Sequence, residues 1–113
     1  MTTNASVSFP LHQALTTLLE DHKAKNVILL DVRQLTSLTD TLVICTGNSH
    51  RHTKTLLKHV LAFAKEHRLE VLGYEGEQDG EWILVDCIDV VIHIMLPPIR
   101  EFYNLEKLWG SFS

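Results

Sequence analysis

Three polar side chains, Asp86, Asp89 and His93, interrupt an otherwise aliphatic stretch in the C-terminal third of the chain. Paired carboxylates could hold the divalent metal ion of a nucleotidyl transfer reaction. The two aspartates are three residues apart, however, so a regular strand directs them to opposite faces. That reaction also needs a Gly-Ser loop followed by Asp-x-Asp, which residues 47–49 echo only in part. The spacing therefore argues against metal-dependent transfer.

Ser49, Asp86 and His93 are also the residue types of a hydrolase triad. Nothing around Ser49 resembles a strained nucleophile elbow, and its position before a long helical pattern is typical of an N-cap. His50 and His52 are only two residues apart, so they do not share a helix face as paired zinc ligands do. We therefore predict no catalytic residues, no metal site and no cofactor. A small metal-dependent nucleotidyltransferase or hydrolase is the alternative.

The residues from Trp82 to Met95 are predicted to form a β-hairpin with Ile88 and Asp89 as its turn. Directly opposed residues of a hairpin share a face of the sheet. This register gives one wholly apolar face, formed by Ile83, Val85, Cys87, Val90, Ile92 and Ile94. The other face is mixed and carries Trp82, Leu84, Asp86, Val91, His93 and Met95. A three-residue turn would move His93 among the aliphatic side chains, so the apolar face favours the two-residue turn, although Ile88 is a poor turn residue.

The mixed face is either a second core or a surface that docks a partner. A sealed core rarely holds a tryptophan, a carboxylate and a histidine together unless each has a polar partner. Tryptophan is also a favoured anchor of protein interfaces, because it combines a large apolar area with one hydrogen-bond donor. The residue types of the mixed face therefore indicate recognition of another macromolecule.

Hydrophobic periodicity predicts the elements that position this hairpin. Amphipathic helices are expected at 9–24, with Ser8 as N-cap, and at 50–67. Strands are expected at 27–32, 42–46 and 71–74. Residues 1–8 are expected to fray. A closing helix should run from Pro97-Pro98 to Trp109, with Phe102, Leu105 and Trp109 packed on the sheet and Tyr103 and Glu106 facing outward. The order predicts a single α/β domain over 1–113, with a mixed sheet of about five strands flanked by helices.

Composition limits the remaining classes of protein. At 113 residues and 45% hydrophobic, the chain suffices for one domain with a core. It has no apolar run near the ~20 residues that span a bilayer. Its first basic residue, Lys23, comes too late for a signal peptide or an organelle presequence, so we expect a cytoplasmic protein without a membrane partner. Cys45 and Cys87 lie in apolar runs and are expected to be buried thiols.

The charge of the chain bears on its partner. A net charge of -4 suits a basic protein better than nucleic acid, whose phosphates must be neutralised by basic side chains. Arg51, His52 and Lys54 form a small basic spot where the second helix begins. This spot is either a solvated helix face or a phosphate contact.

Six segments of the sequence carry a resemblance to a known family: Asp31-Val32, Thr39-Asp40-Thr41-Leu42-Val43-Ile44, Thr46-Gly47-Asn48-Ser49-x-Arg51-His52, Gly76-x-x-x-Gly80-Glu81-Trp82-x-Leu84-x-Asp86, Asp89-Val90-Val91-x-His93 and Arg100-x-Phe102-Tyr103-x-Leu105-Glu106-x-Leu108-Trp109. They resemble the Iojap family, whose bacterial members are the ribosomal silencing factors, RsfS. The resemblance runs from residue 26 to residue 109. The sequence departs from the family at Ile88, where the family usually has glycine.

The resemblance implies a fold related to nucleotidyltransferases but without their catalytic carboxylates. It also implies binding to the fourteenth L-series protein of the large ribosomal subunit, on the surface that meets the small subunit. Bound there, family members block subunit joining and repress translation when nutrients are scarce. Trp82, Val85 and His93 match family positions implicated in that contact, but the hairpin register places Val85 on the aliphatic face.

The mixed face and the resemblance together predict one partner-binding surface. It consists of Trp82, Leu84, Asp86, His93, Met95, Glu101 and Tyr103. A homodimer through the same face is an alternative use of these residues. No direct, sequence-specific contact with nucleic acid is expected.

Overall fold

A five-stranded sheet with helices on both faces forms the molecule; the computed structural model describes residues 4–110, with side chains from residue 11 to residue 108. In chain order the elements are α1 (Asn4–Asp21), β1 (Lys25–Asp31), β2 (Thr41–Thr46), α2 (His50–Glu66), β3 (Gly73–Glu75), β4 (Trp82–Asp86), β5 (Val90–Met95), α3 (Pro97–Tyr103) and α4 (Leu105–Gly110). The strand order is β1-β2-β5-β4-β3. β2 and β5 are parallel and the other neighbours are antiparallel. The predicted single α/β domain with a mixed sheet is confirmed.

The bounds of α1 differ most from those that periodicity predicts. The helix begins at Asn4, so Ser8 lies within it and is not its N-cap. Residues 4–8 are helical, and residues 1–3, the rest of the segment expected to fray, lie outside the described residues. The helix ends at Asp21, because Lys23 adopts a φ of 76° that a right-handed helix cannot accommodate.

The predicted register of the β4–β5 hairpin is confirmed. Trp82 pairs with Met95 and Leu84 pairs with His93. The Cys87 N–H donates to the Val90 carbonyl at 2.9 Å, which leaves Ile88 and Asp89 as the two-residue connection. Ile88 adopts a φ of 69° at the turn. The Asp89 N–H donates to the Cys87 carbonyl at 2.8 Å, which makes a γ-turn centred on Ile88. Ile88, a poor turn residue, therefore fits the turn through a strained positive φ, and the register of the hairpin is unchanged.

The aliphatic face of the hairpin lies in the main core, under α1 and α2. Ile83, Val85, Ile92 and Ile94 pack there with the apolar stripes of the two helices, including Leu15, Leu19, Leu56, Leu57 and Val60. Ser49 caps α2 as predicted, since its hydroxyl accepts from the His52 N–H at 3.1 Å. Cys45 and Cys87 are buried free thiols, and burial raises the pKa of Cys45 to about 12. Among the described residues, no helix is both long and apolar enough to cross a bilayer.

The closing helix is divided at Asn104, and this changes which side chains face the sheet. Asn104 adopts a φ of 46° and caps α3, so α3 and α4 point in different directions. Phe102, predicted to be buried, is 79% exposed. Glu106, predicted to face outward, is only partly exposed and pairs with Arg100, whereas Leu105 is half-buried. The Trp109 side chain lies outside the described residues. The predictions for Phe102 and Glu106 were wrong because one continuous helical period was assumed.

Candidate functional site

The mixed face has a polar contact at its centre between Trp82 on β4 and His93 on β5. The Trp82 indole Nε1–H donates to His93 Nδ1 at 3.0 Å. Only 8% of His93 is exposed, and burial lowers the pKa of its imidazole to about 4. The ring is therefore neutral near pH 7, which leaves Nδ1 free to accept. This hydrogen bond satisfies the indole N–H and His93 Nδ1, and the proton of the neutral ring then lies on Nε2.

An aromatic cluster of Trp82, Tyr103 and Phe102 extends this pair to the surface. The ring centroids of Trp82 and Tyr103 are 4.8 Å apart, and those of Tyr103 and Phe102 are 5.0 Å apart in an edge-to-face arrangement. Exposure increases outward, from the half-buried Trp82 to Tyr103 at 50% and Phe102 at 79%. Such a graded cluster offers a large apolar area with little conformational entropy to lose on binding.

Arg100 holds the α3–α4 segment against the sheet. Its guanidinium donates from Nη1 to the Thr46 hydroxyl of β2 at 2.8 Å and from Nε to Glu106 Oε2 at 3.1 Å. Arg100 is 9% exposed, so these are buried, charge-assisted contacts. Because Arg100 lies on α3 between the sheet and the surface, it fixes the position from which Tyr103 reaches Trp82. Met95, on the strand below, is fully buried.

An open strip lies beside the aromatic cluster on the same face. Its members, Leu84, Asp86 and Val91, are half-buried, and no element in the described part of the chain covers them fully. Asp86 Oδ1 accepts from the Ile88 N–H at 3.0 Å, which anchors the hairpin turn. Glu101 on α3 is exposed near the cluster. The open strip, the aromatic cluster and Glu101 together form what we call the docking surface.

The structure brings the predicted site residues together on one side of the sheet, but at different depths. Trp82, Leu84, Asp86, Glu101 and Tyr103 have accessible atoms. His93 and Met95 lie beneath them and support them. Sequence reasoning missed Phe102, because its helical spacing with Leu105 suggested burial. Asn104, which favours the left-handed conformation, was the signal that could have revealed the break.

The side chains considered for catalysis have local structural partners. The Ser49 hydroxyl caps α2, the Asp86 carboxylate accepts from the hairpin turn, and His93 accepts from Trp82. Across the described residues, no group of three or more histidine, cysteine, aspartate or glutamate side chains is placed to hold a metal ion. The arrangement can present shape, apolar area and charge to a partner.

Comparison with known proteins identifies the family. Residues 6–113 match the family described as "Ribosomal silencing factor during starvation". The chain belongs to the RsfS family. It is 47% identical over 93 residues to the ribosomal silencing factor RsfS of Chromobacterium violaceum, which covers 82% of this chain and 76% of that protein. Iojap proteins of chloroplasts, such as that of Arabidopsis thaliana at 33% identity over 91 residues, are also similar.

Relatives extend to mitochondria, and solved structures share the fold. The mouse protein named "Mitochondrial assembly of ribosomal large subunit protein 1" is 35% identical over 98 residues, 84% of this chain and 43% of that one. A crystal structure of a Chromobacterium violaceum protein superimposes with a TM-score of 0.86 at 42% identity, covering 89% of this chain and 84% of that one. A crystal structure of a Bacillus halodurans protein superimposes with a TM-score of 0.79 at 33% identity, covering 88% of this chain and 93% of that one.

Proposed function

We propose that this protein binds the large ribosomal subunit through its fourteenth L-series protein and blocks association with the small subunit. Translation is thereby repressed in the cytoplasm, with nutrient limitation as the proposed trigger. The supporting observation is the docking surface, whose aromatic cluster is exposed beside a half-open sheet face in a member of the RsfS family. The name of the mouse relative also refers to the ribosomal large subunit.

The proposed mechanism is steric and needs no catalysis. An interface of standard size removes ~800 Å² of surface from each partner, which one sheet face and its flanking helix can supply. The aromatic cluster provides the desolvated centre of such an interface, and Glu101 and Asp86 provide acidic groups at its rim for a basic protein. The molecule is 23 Å across its shortest axis. A bound body of that size holds two subunit surfaces apart.

Phe102→Ala tests the docking surface with little risk to the fold, because the side chain is 79% exposed. Purified protein is mixed with large subunits, small subunits are added, and subunit couples are followed on a sucrose gradient. The wild type should co-sediment with large subunits and block coupling, whereas Phe102→Ala should bind at least tenfold more weakly, as an interface anchor would. Trp82→Ala should bind more weakly still.

Tyr74→Ala is the matched control. Tyr74 is an exposed aromatic residue of β3 whose partner Val85 lies on the aliphatic face, so it points away from the docking surface. The control should block coupling like the wild type. The proposal would be rejected if Tyr74→Ala and Phe102→Ala lost the ability to block subunit coupling to the same extent. It would also be rejected if the wild-type protein stayed at the top of the gradient.

A homodimer through the docking surface is the competing use of the same residues. Sedimentation velocity of the protein alone distinguishes the two uses. A monomer whose Phe102→Ala variant loses ribosome binding supports ribosome docking. A stable dimer that Phe102→Ala dissociates, without any effect on subunit coupling, supports self-association instead.

A further inference from the structure

The charges of this acidic protein are strongly segregated along the chain. Residues 50–68, which comprise α2, its C-cap His67 and the following Arg68, contain five of the ten lysine and arginine residues but only one of the fourteen acidic residues. This segment has a formal net charge of +4, and the remaining residues therefore have a net charge of -8. The overall charge of -4 conceals this separation.

Four of these basic residues form one line along the outer side of α2. Arg51, Lys58 and Lys65 recur at intervals of seven residues, and Lys54 lies between the first two. Residues seven apart differ by only about 20° around a helix, so these side chains share one face. We call Arg51, Lys54, Lys58 and Lys65 the basic stripe. At about 1.5 Å per residue, the stripe is about 21 Å long.

The basic stripe is accessible, and none of the described acidic residues lies within ion-pair distance of it. Arg51, Lys58 and Lys65 are exposed and Lys54 is partly exposed. The described residues contain two ion pairs, Arg33 with Asp31 and Arg100 with Glu106, and neither involves α2. The first turn of α2 has no acidic residue to complement the positive end of the helix dipole.

The basic stripe reduces the stability of the helix that carries it. Like charges three or four residues apart, such as Arg51 and Lys54 or Lys54 and Lys58, destabilise a helix by a few tenths of a kcal/mol per pair. Arg51 in the first turn is also at the end of the helix dipole that disfavours a cation. Lys65 in the last turn complements the negative end of the helix dipole, but folding gives no such reason for Arg51, Lys54 and Lys58, whereas binding to a polyanion does.

We propose that the basic stripe binds the phosphate backbone of double-stranded RNA without reading its sequence. Basic side chains that neutralise phosphates supply most of such affinity, through the release of counterions. Duplex RNA is recognised largely by its shape and by phosphate and 2′-hydroxyl contacts. The stripe lies on the side of the sheet that α1 and α2 cover, and the docking surface lies on the side where α3 packs. The molecule thus has two binding surfaces of opposite charge.

The surroundings of the stripe favour RNA over a membrane. Thr55 and Ala62, which lie between the basic side chains on the same side of α2, are exposed and small. These small side chains let the sugar-phosphate backbone of RNA approach the helix closely. Every large exposed apolar side chain found among the described residues lies outside α2. The helix therefore has no exposed apolar face to insert among lipids, as an interfacial helix needs.

Fluorescence anisotropy with a labelled RNA duplex of about 20 base pairs tests the proposal. With four phosphate contacts, wild-type affinity should fall about a hundredfold between about 50 and about 200 mM salt. Lys58→Gln/Lys65→Gln should bind at least tenfold more weakly, with a salt slope shallower by about two. The control Arg33→Gln/Lys107→Gln removes the same charge outside α2 and should bind within about twofold of the wild type.

Three outcomes would overturn the proposal: no wild-type binding at about 50 mM salt, equal weakening in the two double variants, or binding to phosphatidylserine vesicles in place of RNA. The result is separable from the proposed ribosome docking. Phe102→Ala should keep its RNA affinity, because Phe102 lies on the opposite side of the sheet. A variant that no longer blocks subunit joining but still binds RNA has lost the docking surface. A variant that no longer binds RNA but still blocks subunit joining has lost the basic stripe.

Discussion

At the scale of single residues, Ile88 has a strained backbone conformation, with a positive φ at the hairpin turn. A positive φ costs roughly 1–2 kcal/mol for a residue with a Cβ, and a β-branched side chain is among the least suited to it. The turn is held by local hydrogen bonds, among them those from Ile88 N–H to Asp86 Oδ1 and from Asp89 N–H to the Cys87 carbonyl. Because Asp86 belongs to the docking surface, the strain lies next to a proposed functional residue.

Ile88→Gly should stabilise the protein by about 1 kcal/mol, since relief of the strained φ exceeds the entropy that glycine adds to the unfolded chain. Urea unfolding measures the change. Ile88→Ala is the matched control, because it shortens the side chain but keeps a Cβ at the same φ. Glycine should therefore exceed alanine in stability. If the glycine variant is no more stable than the alanine variant, the strain at Ile88 is not real.

His93 should make the stability of the protein depend on pH. The pKa of the folded imidazole is about 4, below the 6.5 of an exposed histidine, so the unfolded chain binds the proton more readily between these values. Its contribution to stability is complete above pH 6.5 and is lost as the pH falls towards 4. Between pH 7 and pH 4.5 it amounts to about 2 kcal/mol.

His93→Asn isolates that contribution, because the asparagine amide can accept from the Trp82 indole without titrating. The loss of unfolding free energy between pH 7 and pH 4.5 should be about 2 kcal/mol smaller in the variant. His12 and His59, whose pKa values are lowered mainly by burial, titrate in both proteins and cancel in the difference. Urea unfolding at both pH values gives the comparison, and parallel losses would contradict a buried neutral His93.

At the scale of elements, the α3–α4 segment decides which part of the mixed face remains open. Its two helices are too short to be stable alone, and Arg100 ties them to β2 and to each other through Thr46 and Glu106. Glu106 Oε1 is buried without a hydrogen-bond partner among the described residues, so the carboxylate depends on Arg100 for compensation. The position of the aromatic cluster thus rests on one guanidinium.

Arg100→Gln should destabilise the protein by about 2 kcal/mol, because it leaves a partly buried carboxylate without its cation. It should also weaken binding to large subunits, since Tyr103 loses its fixed position over Trp82. Lys107→Gln removes the same charge from an exposed position of the same segment and should change neither quantity. Thermal unfolding and co-sedimentation measure the two effects. Unchanged stability in Arg100→Gln would show that other contacts hold the segment.

The hairpin was predictable from sequence and the closing segment was not, for physical reasons. A strand alternates with a period of two, so only one register of the hairpin gives an aliphatic face, and it places Trp82 and His93 side by side. A helix pattern depends on an unbroken period, and the single left-handed residue Asn104 rotated everything after it. The depth of His93 and the exposure of Phe102 depend on where α3 lies, which only tertiary packing fixes.

At the scale of the whole molecule, the sheet separates two surfaces of opposite charge. The basic stripe lies on α2, over the aliphatic face, while Asp86 and Glu101 lie on the other side with the aromatic cluster. Such a dipolar body approaches a charged partner in a preferred orientation, because attraction and repulsion act on opposite ends. On a ribosome, where basic proteins lie among RNA phosphates, this polarity favours docking of the acidic side onto protein and disfavours the reverse.

The polarity should appear in association rates with the isolated fourteenth L-series protein, the proposed partner. Glu75 on β3 is exposed and pairs with Leu84, so it lies beside the docking surface. Neutralising acidic residues there, in Glu75→Gln/Glu101→Gln, should lower the association rate constant about fivefold at low salt, because steering depends on long-range attraction. The dissociation rate should change little, since rim charges contribute mainly to encounter.

Lys58→Gln/Lys65→Gln changes net charge in the opposite direction and should leave association equal or faster. Stopped-flow measurement of the intrinsic tryptophan fluorescence gives both rates. The association rate constants of the wild type and both variants should become equal at high salt, where charges are screened. A difference that persists there would place the acidic residues in direct contact with the partner and would rule out steering as their role.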